Sequence, residues 1–203
     1  MKNLNKTPKI SKMPKILVAG IGNKYMGDDG FGPRVVDALL NHLSSANSDA
    51  NADVNVDADV NVEVRDVGLC GVTLAPDLAD YSLVIFLDAV QRGGSPGTLY
   101  RAEIKAEDVS IWHENADEEA ILSPISIHET RLEEILRFAK AIGTLPEKVI
   151  FIGCEIKEVK LGEEMSEEVE NAVKKAVNVV LEEVSRYISS ECSRVNEMKL
   201  KNE

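Results

Sequence analysis

Three short runs of the chain are apolar almost without interruption: KILVAG (15–20), LVIFLDAV (83–90) and KVIFIGCEI (148–156). Runs of this length with no polar alternation predict strands covered on both faces. VNVEVRDVG (60–68) alternates instead, and TLYRAEI (98–104), entered through the turn cluster QRGGSPG (91–97), alternates like a half-exposed edge strand. Between these runs the spacing changes to that of helices. FGPRVVDALLNHL (31–43) places Phe31, Val35, Val36, Leu39 and Leu43 on one face, with Pro33 tolerated in the first turn. Gly68 and Gly71 bracket a turn into a short helical stretch around 72–80. A helix over 127–142 carries Leu132, Ile135, Leu136 and Ala139 on its buried stripe and ends at Gly143. The last helix, 166–189, aligns Val169, Val173, Val177, Val180, Leu181 and Val184, with Glu167 and Glu168 suited to its first turn. Residues 44–59 are polar and low in complexity, a surface loop; residues 106–123 are acidic and aperiodic, a loop with at most one helical turn.

Strands alternating with helices predict a three-layer α/β domain around a mostly parallel sheet. We expect one such domain over 15–190, a disordered extension over 1–14, and a frayed polar tail over 191–203.

Composition narrows the function. Hydrophobic residues make up 44% of the chain but aromatics only 4%, so the core is built from Val, Ile, Leu and Ala. A net charge of −12 argues against a surface that tracks nucleic-acid phosphates. Three scattered cysteines, Cys70, Cys154 and Cys192, form neither a disulfide framework nor a CxxC zinc pattern, which fits a reducing compartment. No apolar run approaches the roughly 20 residues of a membrane span, and the lysine-rich start has no apolar segment of a signal peptide. A cytoplasmic protein, off the membrane, is expected.

Ligands of open α/β sheets bind beyond the carboxyl ends of the strands, and three polar signals stand there. The first strand runs into GIGNKYMGDDG (20–30), the third strand, in LVIFLDAV, ends at Asp88, and SPISIHE (123–129) lies in the loop before the 127–142 helix. Gly20 and Gly22 invite a dinucleotide reading, but the third glycine comes one position late, at Gly27. Asp28 and Asp29 then stand where a pyrophosphate needs N–H groups. The pair repels phosphate and attracts a cation. Acids beside a helix N-terminus are also common for structural reasons alone. Asp88 is costly to bury unless paired or bound to a cation, although a turn acceptor is its ordinary alternative. Ser126 and Glu129 have capping-box spacing, which places His128 in the first turn, where the helix dipole keeps imidazole neutral. Two carboxylates and one imidazole suit nickel, zinc, iron or manganese. With an open position they also suit a metal held by another molecule. There is no GxSxG elbow, and Cys154, inside a strand, reads as a small hydrophobe.

ILVAGIGNKYMGDDGFGPRVVDAL (16–39), FLDAV (86–90) and S-x-H-E (126–129), in that order, resemble the hydrogenase maturation endopeptidases over roughly 15–185. The resemblance implies a three-layer sandwich around a five-stranded, phosphorylase/hydrolase-like sheet with one antiparallel strand, for which TLYRAEI is the candidate. It implies an endopeptidase that removes the C-terminal extension of a nickel–iron hydrogenase large-subunit precursor after nickel insertion. It also implies that the nickel is borne by the substrate, and we expect the free protein to bind it only weakly. The implied metal-contacting residues are Asp29, Asp88 and His128, with Asp28 as a second-rank, catalytic candidate. Many members have Glu at the position of Asp29, and the 44–59 insert and lysine-rich start depart from the compact family pattern. We expect a monomer whose partner is that precursor. The alternatives are a non-enzymatic nickel chaperone for hydrogenase assembly and a self-contained small metallohydrolase.

Overall fold

The fold is described from a computed structural model, which covers residues 14–48, 61–69, 71–109 and 127–200. Five strands form one sheet: β1 (Lys15–Ile21), β2 (Asn61–Gly68), β3 (Leu83–Val90), β4 (Leu99–Ile104) and β5 (Lys148–Glu155). Their order across the sheet is β2-β1-β3-β5-β4. All neighbours are parallel except β4, which runs antiparallel to β5 at the edge, as expected of TLYRAEI.

The continuous apolar runs are the three central strands, and alternate residues of each go to opposite layers. Ile16, Val18, Ile85, Leu87, Ile150 and Ile152 pack under α1 (Phe31–Ser48) and α3 (Glu167–Leu200). Leu17, Ala19, Ile21, Val84, Phe86, Val149 and Phe151 pack under α2 (Ile127–Ile142) and a 3-10 helix over Gly71–Asp80. This produces the three layers. The anticipated stripes are buried: Leu132, Ile135, Leu136 and Ala139 of α2, and Val169, Val173, Val177, Val180 and Val184 of α3. Leu181 is only partly buried, at the flank of the same cluster. Edge strand β4 is tied to α3 by the buried carboxylate of Glu183, which accepts from Arg101 Nε at 2.8 Å and Nη2 at 3.1 Å.

Topology fixes where ligands meet the sheet. The chain leaves β1 toward β2 over one face, through α1, and returns from β2 past β1 to β3 over the other. Right-handed crossovers require that change of face when the direction reverses. The reversal leaves a crevice between β1 and β3 at their carboxyl ends, the switch point where such sheets bind ligands.

Two helices outrun their expected ends. α1 continues to Ser48 where a loop was expected from 44, and the Ser44 and Ser45 hydroxyls donate to the carbonyls of Leu40 and Asn41. α3 continues to Leu200 rather than ending at 189, because SECSRVNEMKL contains neither Gly nor Pro to stop it. α2 begins and ends where expected, with Gly143 at φ +77° closing it. All of the expected 1–14 extension but Pro14, the expected 44–59 loop from 49 onward, and the expected acidic segment 106–123 from 110 onward lie outside the described residues. Among the described residues no helix is long and apolar enough to cross a membrane.

Candidate active site

The loop after β1 is braced from within. Asn23 N donates to both the main-chain oxygen of Asp29 (3.2 Å) and its Oδ2 (3.1 Å), while Asn23 Oδ1 accepts from Tyr25 N at 3.0 Å. Gly22 is at φ +131°, and a Cβ there would lie 2.1 Å from the Asp29 carbonyl oxygen. Only glycine fits so close an approach. The acidic pair then sits in a 3-10 turn, Gly27–Gly30, leading directly into α1. Gly32, at the start of α1, presses its backbone onto the ends of both central strands. A Cβ on it would meet Ile21 O at 2.3 Å and Leu87 O at 2.5 Å. Leu87 pairs with Gly20 in the sheet, and the next residue of β3 is Asp88. The loop carrying Asp29 and the strand end carrying Asp88 are therefore neighbours at the β1/β3 switch point.

Both carboxylates are buried, Asp29 to 2% exposure and Asp88 to 1%. Asp88 Oδ1 accepts from Ala89 N at 2.8 Å. The even-numbered β3 residues Val84 and Phe86 face α2, and Asp88 continues that parity. α2 joins β5 through a short connection, 143–147, at the amino end of the sheet, so its C-terminus is at that end. Its 16 residues therefore carry the N-terminal turn, with His128 in it, back toward the strands' carboxyl ends. The side chain of His128 and the expected cap Ser126 lie outside what is described. Among the described residues no group of three His, Cys, Asp or Glu is arranged to hold a metal.

Asp28 has a different task. Its carboxylate, 1% exposed, accepts from Ser166 N (2.7 Å), Lys157 N (2.9 Å), Ser166 Oγ (3.0 Å) and, longer, Glu158 N (3.4 Å). It clamps the segment between β5 and α3 onto the β1 loop. A residue so engaged is a positioning group.

A further buried acid, Glu155 at the end of β5, was not singled out in the sequence. It accepts from Arg92 N and Gly93 N at 2.9 Å and from Tyr100 Oη at 2.9 Å, fixing the 91–97 turn beside Asp88. The signal was present: like Asp88, Glu155 is a carboxylate at the end of an apolar strand. A groove of about 340 Å³ opens alongside, with Ala102, Ile104, Val109, Leu132, Leu136 and Phe151 as its apolar lining and Asp88, Arg92, Asp108 and Glu133 as its charged lining. A larger hollow of about 570 Å³, near Tyr25, Arg34 and Glu163, is lined by neither Asp29 nor Asp88.

Burial, with Asp28 and Glu155 adding negative charge nearby, pushes the Cys154 thiol up to about 12. Thiolate chemistry at neutral pH is therefore closed to it. Cys70 lies outside the described residues, as does His113; His42 is exposed on α1.

A family model for hydrogenase maturation proteases, HycI, matches residues 38–183. The chain belongs to the hydrogenase maturation protease family.

It is thus a hydrolase of the peptidase class. The chain is 43% identical to a hydrogenase 2 maturation peptidase from Thaumarchaeota archaeon SCGC_AB-539-E09, covering 84% of this chain and 97% of that one, with a TM-score of 0.55. Against the hydrogenase maturating endopeptidase HybD of E. coli the identity is 25%, the coverage 85% and 93%, and the TM-score 0.63. The hydrogenase expression/formation protein HupD of Thiocapsa roseopersicina is 27% identical over 86% of this chain and 69% of its own length. The match spans 60% of the HupD of Rhodobacter capsulatus. The shared fold is the three-layer sandwich anticipated above.

Proposed function

We propose that the protein is the endopeptidase that removes the C-terminal extension of a nickel–iron hydrogenase large-subunit precursor once nickel has been inserted, with Asp29, Asp88 and His128 engaging the nickel the substrate carries. The observation that carries this reading is the pair of buried carboxylates, Asp29 and Asp88, on adjacent strand ends at the sheet's switch point in a chain of this family. Carboxylate oxygens and a neutral imidazole suit a borderline divalent ion. Held by the precursor's own ligands, such an ion takes two negative charges from this protein without leaving the substrate.

In this mechanism the metal is a recognition element that travels with the substrate. Its docking sets the scissile peptide in the groove beside Asp88, where the apolar lining of Leu132, Leu136 and Phe151 accepts a side chain of the tail. Asp28 and Glu155 hold the two flanking segments in place through backbone N–H groups. A precursor without nickel lacks the tether, so processing reports metal insertion. Free nickel, lacking the substrate's ligands, binds only weakly.

The test is to incubate the protein with nickel-loaded precursor and follow precursor mass, with nickel-free precursor and an Asp29→Ala variant alongside. Loss of one C-terminal peptide only with nickel, and only with Asp29 intact, is the expected result. A complex without loss of mass would replace the protease reading with that of a nickel chaperone. Cleavage indifferent to nickel would remove the metal from the mechanism. Isothermal titration showing tight, stoichiometric binding of free nickel would contradict a substrate-borne ion.

A further inference from the structure

Large apolar side chains exposed to water are unevenly distributed. Among the described residues there are eight: Tyr25, Leu40, Leu69, Val72, Phe138, Ile142, Val159 and Leu161. Five of them, Tyr25, Leu69, Val72, Val159 and Leu161, lie in the segments that follow β1, β2 and β5 at the carboxyl end of the sheet. Scattered exposed hydrophobics need no explanation, whereas a cluster around a candidate site marks a contact surface. Tyr25 and Leu161 are the extremes, 68% and 77% exposed.

The three segments form one frame. Gly22 N donates to Gly68 O at 3.2 Å, joining the β1 loop to the end of β2, and Gly162 N donates to Tyr25 O at 2.9 Å, joining it to the segment after β5. The buried Asp28 carboxylate fastens that last segment at residues 157, 158 and 166. Apolar tips held this way lose little freedom when a partner covers them, which raises the affinity a given area supplies. The frame ends in the turn that carries Asp29, so the rim is continuous with the candidate site.

Charge adds a second constraint. Residues 157–168, KEVKLGEEMSEE, hold five glutamates and two lysines around Val159 and Leu161. Such a rim favours a partner whose apolar patch is bordered by Lys and Arg, and speeds its encounter. Tips on three separate segments fit the broad face of a folded protein; a single extended tail would need a channel.

We propose that Tyr25, Leu69, Val72, Val159 and Leu161 form the docking surface for the folded body of the metal-bearing precursor, separate from the contacts made by its tail. This rests on the proposed function for the identity of the partner. It makes the body of the substrate, together with its metal, the source of selectivity, and leaves the sequence of the discarded tail free to vary.

The experiment compares wild type, a Tyr25→Ser/Leu161→Ser double variant and Phe138→Ser, whose substitution is on α2 away from the rim. Each is tested on nickel-loaded precursor for kcat and KM, and on the mature, tail-less subunit for competitive inhibition. Loss of central aromatic and aliphatic contacts predicts a KM raised by about ten-fold or more with kcat changed less than about two-fold. Competition by the mature subunit weakens in parallel, while Phe138→Ser behaves as wild type. Unchanged KM in the double variant, or an equal effect of Phe138→Ser, overturns the proposal. Wild type that binds precursor without cleaving it sinks the protease reading alone, and docking is then judged from binding: lost in the rim variant, it stands; retained, it falls. Wild type that does not bind precursor at all overturns both.

Discussion

Asp28→Asn isolates the role of a buried carboxylate that touches no part of the proposed tail groove. Three donors converge on Oδ2 (Lys157 N, Ser166 Oγ and, at longer range, Glu158 N), and one, Ser166 N, reaches Oδ1 at 2.7 Å. The amide satisfies the Oδ2 cluster best with its carbonyl, which turns its NH₂ group toward Ser166 N. Donor then faces donor. A hydrogen bond to a charged group contributes about 1.5–3 kcal/mol, and a stranded buried donor costs about 1–3 kcal/mol. Allowing for water entering at the rim, we expect Asp28→Asn to cost about 2–4 kcal/mol, out of the roughly 5–15 kcal/mol that hold a domain of this kind. Urea unfolding supplies the assay, read as a lower midpoint at unchanged m. A local readout accompanies it, because Lys157 and Lys160 are trypsin sites inside the clamped segment. Native-state cleavage there should quicken in Asp28→Asn. A variant with the wild-type midpoint and unchanged cleavage at both lysines would refute the clamp.

Gly32→Ala should destabilise by about 3 kcal/mol or more, since its Cβ meets only backbone atoms of Ile21 and Leu87, which cannot give way as a side chain does; thermal unfolding checks it. The hydrogen bond from Tyr81, reinforced by Arg65 and Lys15, holds the Glu63 carboxyl at about 2 against an ordinary 4.5. The stability it contributes is therefore complete above about pH 4.5 and is lost as pH falls toward 2. The shift converts to about 3.4 kcal/mol at most, and with the side chain a third exposed we expect about 1–2 kcal/mol. Denaturation of Glu63→Gln across that window should show a correspondingly flatter acid limb. Iodoacetamide at pH 8 should label the exposed Cys192 and spare Cys154 in the native protein, as peptide masses will show; rapid labelling of Cys154 would contradict its burial.

The sheet was legible because parallel strands buried on both faces are apolar until their last residues, and α2 because its apolar stripe and Gly143 agree on its limits. Helix ends without a stripe were not. Residues 44–48 of α1 and 190–200 of α3 are polar turns that continue because nothing stops them, and periodicity is silent there. The stretch 71–80 is helical but 3-10 in character, with Pro76 inside it. Glu155 is legible by the rule applied to Asp88, but inside the run KVIFIGCEI, one residue before its apolar end, it reads as part of the strand. The partners of Asp28 were not legible at all: they lie 129–138 residues away, and no local pattern announces a contact at that distance.

That distance explains why the motif has two acids in a row. In a 3-10 turn successive side chains point about 120° apart, so neighbouring carboxylates cannot easily share one ion. Asp28 spends its oxygens on the segment after β5, whereas Asp29 turns back onto Asn23 N within the β1 loop, at the switch point. The sequence offers two readings of such a pair, acids favoured beside a helix N-terminus or acids that face a cation, and each reading suits one member. Exchange between them should fail in opposite ways. Asp28→Asn loosens the 157–166 segment and the proposed docking rim on it while leaving a carboxylate beside Asp88. Asp29→Ala removes the brace on Asn23 N but leaves the clamp intact, so it stops processing, on the nickel proposal, while trypsin cleavage at Lys157 and Lys160 stays at the wild-type rate. A single acid could not do both, because the 157–166 segment already takes both oxygens of Asp28, Oδ1 through Ser166 N and Oδ2 through Lys157 N and Ser166 Oγ.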